Sequence, residues 1–136
     1  MKKSEERALF EKNGWRLSDP IPISADWNLY NDYIRDSKGE FTVAKDQYVR
    51  LNTGWFSDRS AAYLASGRPV LAEDTGFADH LPAGLGLLSF GTMRQAADGV
   101  DELLTNYRRH QKAAREIAEN YLSTSQVLPK MVEYCK

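Results

Sequence analysis

The sequence predicts an α/β fold: a Rossmann-like, three-layer domain with a short parallel sheet of about four strands and a helical C-terminal tail. Two observations predict it. Four short apolar runs, Trp15-Arg16-Leu17, Phe41-Thr42-Val43-Ala44, Pro69-Val70-Leu71-Ala72 and Leu87-Leu88-Ser89-Phe90, alternate with segments of helical periodicity. The runs are too short and too evenly apolar for one-sided hairpins, so buried parallel strands with helices on both faces are expected. Size agrees: 136 residues, 42% apolar and 27% charged, suit one globular domain over 1–136, with 108–136 as the tail.

The elements follow in order. A helix is expected near Glu5 to Lys12, stopped by Asn13-Gly14. The Trp15 strand should end at Ser18-Asp19-Pro20-Ile21-Pro22, where two prolines forbid pairing. Ser24 is the expected cap of a second helix carrying Trp27, Tyr30, Tyr33 and Ile34 at helical spacing. Gly39 ends it, and a buried strand runs from Phe41 to Lys45. Asp46 to Asp58 is irregular; a helix then runs to Ser66-Gly67. After the Pro69 and Leu87 strands, Thr92-Met93-Arg94-Gln95 reads as a capping box. It opens a helical region with Ala96, Val100, Leu103, Leu104 and Tyr107 on one face, continued by Ala113, Ala114, Ile117, Ala118 and Tyr121. Ser123 is a second expected cap, ahead of Val127, Leu128, Met131 and Val132.

Composition removes several function classes. Eighteen basic and nineteen acidic residues leave a net charge of −1, without the basic footprint of a nucleic-acid binder. No apolar run approaches the ~20 residues of a membrane span. The start has no apolar segment behind Lys2-Lys3, unlike a secretory signal. Cys135 is the single cysteine, which excludes an intramolecular disulfide and a cysteine-cluster metal site. The expectation is a cytoplasmic protein with no metal and no resident cofactor.

In parallel α/β folds ligands bind where strands end and helices begin. The loop Gly54-Trp55-Phe56-Ser57-Asp58-Arg59-Ser60 precedes a helix, whose free N–H groups and dipole favour a phosphate or diphosphate. Gly54 permits close approach, Ser57 and Ser60 offer hydroxyls, Arg59 offers a fork, and Trp55 or Phe56 a stacking ring. The same residues also make an ordinary helix start, with Ser57 or Asp58 as cap and the aromatics in the core. Glu73-Asp74-Thr75-Gly76-Phe77 offers two carboxylates for sugar hydroxyls, or else an acidic turn. Lys45, at a strand end, supplies a point charge for phosphate or stays solvated. His80 lies near this crevice; His110, among Arg108, Arg109 and Lys112, is expected on the surface. Neither builds a triad or zinc pair, and no G-x-G-x-x-G or Walker sequence occurs.

In combination these loops carry a family resemblance. Tyr63-Leu64-Ala65-Ser66-Gly67-Arg68-Pro69-Val70-Leu71 resembles the "E-A-M-A-x-G-x-P-V" signature of GT-B glycosyltransferases, in their C-terminal, nucleotide-sugar-binding half. Asp74-Thr75-Gly76-Phe77 and His80 to Leu88 resemble its next loop and "G-x-G-l-l" strand. The region from Thr92 to Leu122 is similar to its last helices, and Gly54 to Ser60 is similar to a variant subgroup. The likeness spans roughly residues 14 to 132.

The resemblance implies a nucleoside diphosphate sugar as ligand. Its diphosphate would lie near Gly54, Ser57, Arg59 and Ser60 with Lys45. Its sugar or nucleoside would face Trp55, Phe56, Asp58, Glu73, Asp74, Thr75, Gly76 and Phe77. Two departures accompany it. The paired glutamates of many retaining members fall on Gly54 and Ala62, and the N-terminal, acceptor-binding half has no counterpart here. The expectation is therefore a fragment or one part of a split glycosyltransferase, with little or no transfer activity alone. Its partner would be a second copy or a separate N-terminal-half polypeptide. The alternative is a non-enzymatic dimerisation or interaction module that keeps the fold without donor binding. Trp15, Trp27, Tyr30 and Tyr33 are candidates for its surface, with the core as their default place.

Overall fold

Three parallel strands organise the chain in the computed structural model, which describes residues 3–135. The chain divides into two compact units, Met1–Tyr33 and Ile34–Lys136.

The first unit is helical. Helix α1 (Lys3–Lys12) is followed by α2 (Pro20–Ala25) and by α3 (Trp27–Asp36), which runs on into the second unit. The expected Trp15 strand does not form. The Trp15 N–H donates to the Phe10 carbonyl at 3.1 Å, and the two rings meet edge to face at 5.9 Å, which ties this segment to α1. The proline pair opens a helix instead of only breaking a strand. Asp19 caps α2 by accepting from the Ile21 N–H, and a proline at the first helical position lacks an N–H that would have no partner there anyway. Asp26, not Ser24, caps α3: its Oδ1 accepts from the Asn28 and Leu29 N–H groups at 2.8 and 2.9 Å. Trp15, Trp27 and Tyr33 are exposed and Tyr30 is half-buried, against the expectation of core. Three short helices have too little volume to enclose so many large rings.

The second unit holds the sheet. Strands β1 (Glu40–Thr42), β2 (Val70–Glu73) and β3 (Leu87–Phe90) lie in the order β1-β2-β3, with Phe41 opposite Leu71 and Leu71 opposite Leu88. The sheet thus has three strands among the described residues, not four. Helix α6 (Met93–Thr105) covers one face, where Leu71, Phe90, Ala96 and Leu103 form a buried cluster. Gly99 lets α6 approach: a Cβ there would lie 2.8 Å from Leu71 Cδ1. Side chains alternate along a strand, so Val70 and Leu87 face the other layer, made by α5 (Asp58–Ala65) and α7 (Tyr107–Ile117). Phe41 and Val43 were expected in the core, yet they are 44% and 63% exposed. Phe41 lies on the edge strand, where one side of its ring stacks on Phe90 at 5.4 Å and the other stays open, and Val43 follows just past the end of that strand.

Helix α4 (Asp46–Arg50) lies inside the stretch expected to be irregular. The capping box at α6 forms with one change. Thr92 Oγ1 accepts from the Gln95 N–H at 3.2 Å, but the Gln95 amide oxygen reaches back to the Gly91 N–H at 2.8 Å. The tail continues from α7 through a π-helical segment (Ala118–Leu122) into α8 (Thr124–Tyr134). Ser123 does not cap α8; its hydroxyl donates to the Glu119 carbonyl at 2.8 Å. None of the α8 residues is buried, so its apolar stripe stays at the surface.

Candidate functional site

The three strands end on one side of the sheet, and the loops singled out from the sequence meet there. The Gly54 N–H donates to the Thr75 carbonyl at 2.7 Å, and Thr75 Oγ1 donates to the Trp55 carbonyl at 2.6 Å. Gly76 sits at φ +90°, the left-handed region that favours glycine, and a Cβ there would fall 2.5 Å from Asn52 Oδ1. The Gly54 loop and the Asp74 loop are therefore latched together. His80 lies against them, its Cδ2 3.5 Å from where a Cβ on Gly54 would sit. The Glu73 carboxylate reaches across to β1 and accepts from the Ala44 N–H at 3.0 Å, which brings Lys45 to the same rim. The Lys45 ammonium stands 5.9 Å from the Tyr48 ring centroid, and Tyr48 stacks on Trp55 at 5.0 Å, 12° from parallel.

Most groups assigned to a diphosphate already hold this arrangement in place. Ser57 is buried, and its hydroxyl oxygen accepts from the Arg59 N–H at 3.2 Å as the N-cap of α5. Asp58 Oδ1 accepts from the same N–H at 2.8 Å, so a carboxylate already sits at the positive end of the helix. Arg59 Nε donates to Glu40 Oε1 at 2.5 Å, and its Nη2 donates to Thr42 Oγ1 at 3.0 Å. Glu40 is buried, so Arg59 serves as the counter-ion of an interior carboxylate. Ser60 faces the interior, with 1% of its surface exposed.

The second loop is similarly engaged. Asp74 Oδ1 accepts from the Gly76 N–H at 2.9 Å, and Thr75 is buried. Phe77 is a core residue packed on Phe56 at 5.5 Å. Groups left open at the rim are the Lys45 ammonium, the exposed part of Trp55 and the His80 ring. The strand order runs without reversal, so the described residues form no crevice between diverging crossovers, where such folds usually bind their ligands.

A second cluster escaped the sequence reading. His110 was expected on the surface, yet none of it is exposed. Its Nδ1 accepts from the Gly86 N–H at 3.0 Å, and its Nε2 lies 3.3 Å from Glu102 Oε1. A backbone N–H can only donate, so the proton of the neutral ring sits on Nε2 and points to Glu102. Hydrogen bonds from Asn106 and then His110 hold the Glu102 carboxyl below its ordinary range. The sequence did carry a signal: Ala113, Ala114 and Ile117 are buried, and His110 stands one turn earlier on their stripe.

Among the described residues, no three His, Cys, Asp or Glu side chains gather as a metal site would need, and no helix is long and apolar enough to cross a membrane. No family model matches the chain, no curated protein matches its sequence and no solved structure matches its fold.

Proposed function

We propose that the chain is a glycosyltransferase-like domain that binds the nucleoside diphosphate part of a nucleotide sugar at the rim formed by Lys45, Trp55 and the Thr75–Gly76 turn. The observation that carries this reading is the latch between Gly54 and Thr75. It unites the Gly54 and Asp74 loops at the strand end where Lys45 stands. In this reading the Lys45 ammonium meets a phosphate oxygen, and the exposed face of Trp55 extends the Tyr48–Trp55 stack to a base. Ser57, Asp58, Arg59 and Ser60 act behind the rim, by fixing α5. The proposed role is binding, with transfer requiring groups from elsewhere.

A melting screen across UDP, GDP, ADP, dTDP and free phosphate tests it. A ligand at ~100 times its dissociation constant adds about 2.7 kcal/mol of stability, a rise of roughly 5–12 °C for a domain of this size. One nucleotide standing out supports the reading, equal responses to nucleotides and phosphate reduce it to a phosphate site, and a flat response ends it.

A specific observation favours a second reading, that of a non-enzymatic interaction module. Asp58 fills the anion position of α5, and Arg59 is spent on Glu40. A flat screen together with stable self-association supports that reading.

A further inference from the structure

We propose that two copies of this chain join through the free edge of β1, antiparallel, with Phe41 of each copy opposite Val43 of the other. The Glu40 N–H donates to the Pro69 carbonyl, and Thr42 stands opposite Ala72 in the ladder. Residues of a parallel strand turn their N–H and C=O groups to alternate sides, so Gly39, Phe41 and Val43 present theirs away from β2. The backbone remains extended at Lys45 (φ −70°, ψ 139°), which lengthens the available edge beyond the three paired residues. The other outer strand is treated differently: on β3 the Leu87 carbonyl is taken by the Gly84 N–H at 2.7 Å. Lysines flank this edge at Lys38 and Lys45, but between them, from Gly39 to Ala44, it carries neither the proline nor the lysine that usually guards such an edge.

Charge and shape select a second copy and one register. With Phe41 opposite the second copy's Val43, the twofold axis gives two aromatic–β-branched pairs on one face and a Thr42–Thr42 pair on the other, both favourable across strands. Beyond the paired stretch, the same symmetry carries Lys38, just before β1, toward the second copy's Asp46, the first residue of α4, twice. The Asp46 side chain is 86% exposed, and Arg50 approaches it only to 3.7 Å. Shifting the pairing to place Phe41 opposite Phe41 moves Lys38 opposite Ala44 and Val43 opposite Gly39, losing both gains. Beside β1 a groove of about 170 Å³ is lined by Phe41, Leu71, Val100, Leu103, Leu104 and Tyr107. A twofold axis perpendicular to the sheet brings the two grooves together on one face, where Phe41, Val100 and Leu104 are all exposed in the single chain.

Sedimentation velocity and light scattering of the purified chain, up to about 200 μM to populate a weak dimer by mass action, test the proposal. The expected species has twice the 15.4 kDa of one chain. Val43→Lys places a charge on the edge and should give a monomer with an unchanged far-UV spectrum. Lys38→Asp should weaken the dimer, and Lys38→Asp with Asp46→Lys should restore it. A wild-type monomer throughout, or a Val43→Lys dimer as tight as wild type, overturns the proposal. A dimer indifferent to the charge swap overturns the register.

Discussion

The Gly86 N–H donates to Nδ1 of His110 across 3.0 Å, tying the residue before β3 to the first turn of α7. At Gly86 the backbone sits at φ +80°, and a Cβ there would lie 2.4 Å from the Ala114 nitrogen, so the loop and the helix touch backbone to backbone. The His110 ring thus satisfies a buried backbone donor. His110→Ala leaves that N–H without a partner and opens a cavity beneath it. The expected cost is about 2–4 kcal/mol, on the order of a 10 °C fall in melting temperature. His110→Asn, which keeps an acceptor, should cost less. Thermal unfolding of the two variants checks the order, and equal losses would assign the effect to packing alone.

Glu102 connects this cluster to pH. Hydrogen bonds from Asn106 and His110 lower its pKa in the folded chain from the ordinary 4.5. A depressed carboxyl contributes stability that is fully present above the unfolded value and is lost as pH falls through the folded one. Stability should therefore fall more steeply below about pH 4.5 in the wild type than in Glu102→Gln. The side chain is half exposed, so the difference should be small and should shrink in high salt. Melting temperatures from pH 7 to pH 3 at two salt concentrations measure it.

Arg59 is assigned to the interior by its pairing with Glu40, of which only 5% of the side chain is exposed. Removing the guanidinium strands a carboxylate beneath α5. Arg59→Ala should cost about 2–4 kcal/mol, less than a fully buried pair because Arg59 is itself half exposed. Combining it with Glu40→Gln should recover part of the loss, since the stranded charge is gone. A double-mutant cycle by urea unfolding gives the coupling. A near-zero coupling would return Arg59 to the surface and to the phosphate role the sequence suggested.

The parts of the fold legible in the sequence are those fixed by local rules. The glycine stops after α1 and α5, the apolar runs of β2 and β3, and the Thr92 cap all form where the residues predict. Trp15-Arg16-Leu17 failed as a strand because the Trp15 N–H and ring are both engaged by Phe10 of α1. Helix α4 was invisible because five residues from Asp46 to Arg50 hold no apolar period. At the candidate site the loops were legible, since Gly54, Ser57, Asp74 and Gly76 mark strand-to-helix turns. Their employment was not. Arg59 meets Glu40 from 19 residues away and Thr75 meets Trp55 from 20, and such pairings arise only once the sheet has closed.

The rim and the frame that holds it should respond differently to substitution. Loss of either Lys45 or Trp55 leaves the latch between Gly54 and Thr75 in place: Lys45→Ala, at an exposed residue, should change stability by less than about 1 kcal/mol, and Trp55→Ala, which removes a ring 37% exposed and stacked on Tyr48, should cost about 1–3 kcal/mol. If the nucleotide reading holds, each should nevertheless lower the melting response to the preferred nucleotide. Lys45→Ala should weaken free phosphate as well, whereas Trp55→Ala should weaken only ligands that carry a base. Gly76→Ala supplies the converse. A side chain at φ +90° costs about 1–2 kcal/mol of backbone strain and displaces Asn52, so it should lower the melting temperature before any ligand is added. Melting curves of the three variants, with and without the nucleotide that shifts the wild type, distinguish the cases. Unchanged responses in Lys45→Ala and Trp55→Ala would place the nucleotide elsewhere on the chain.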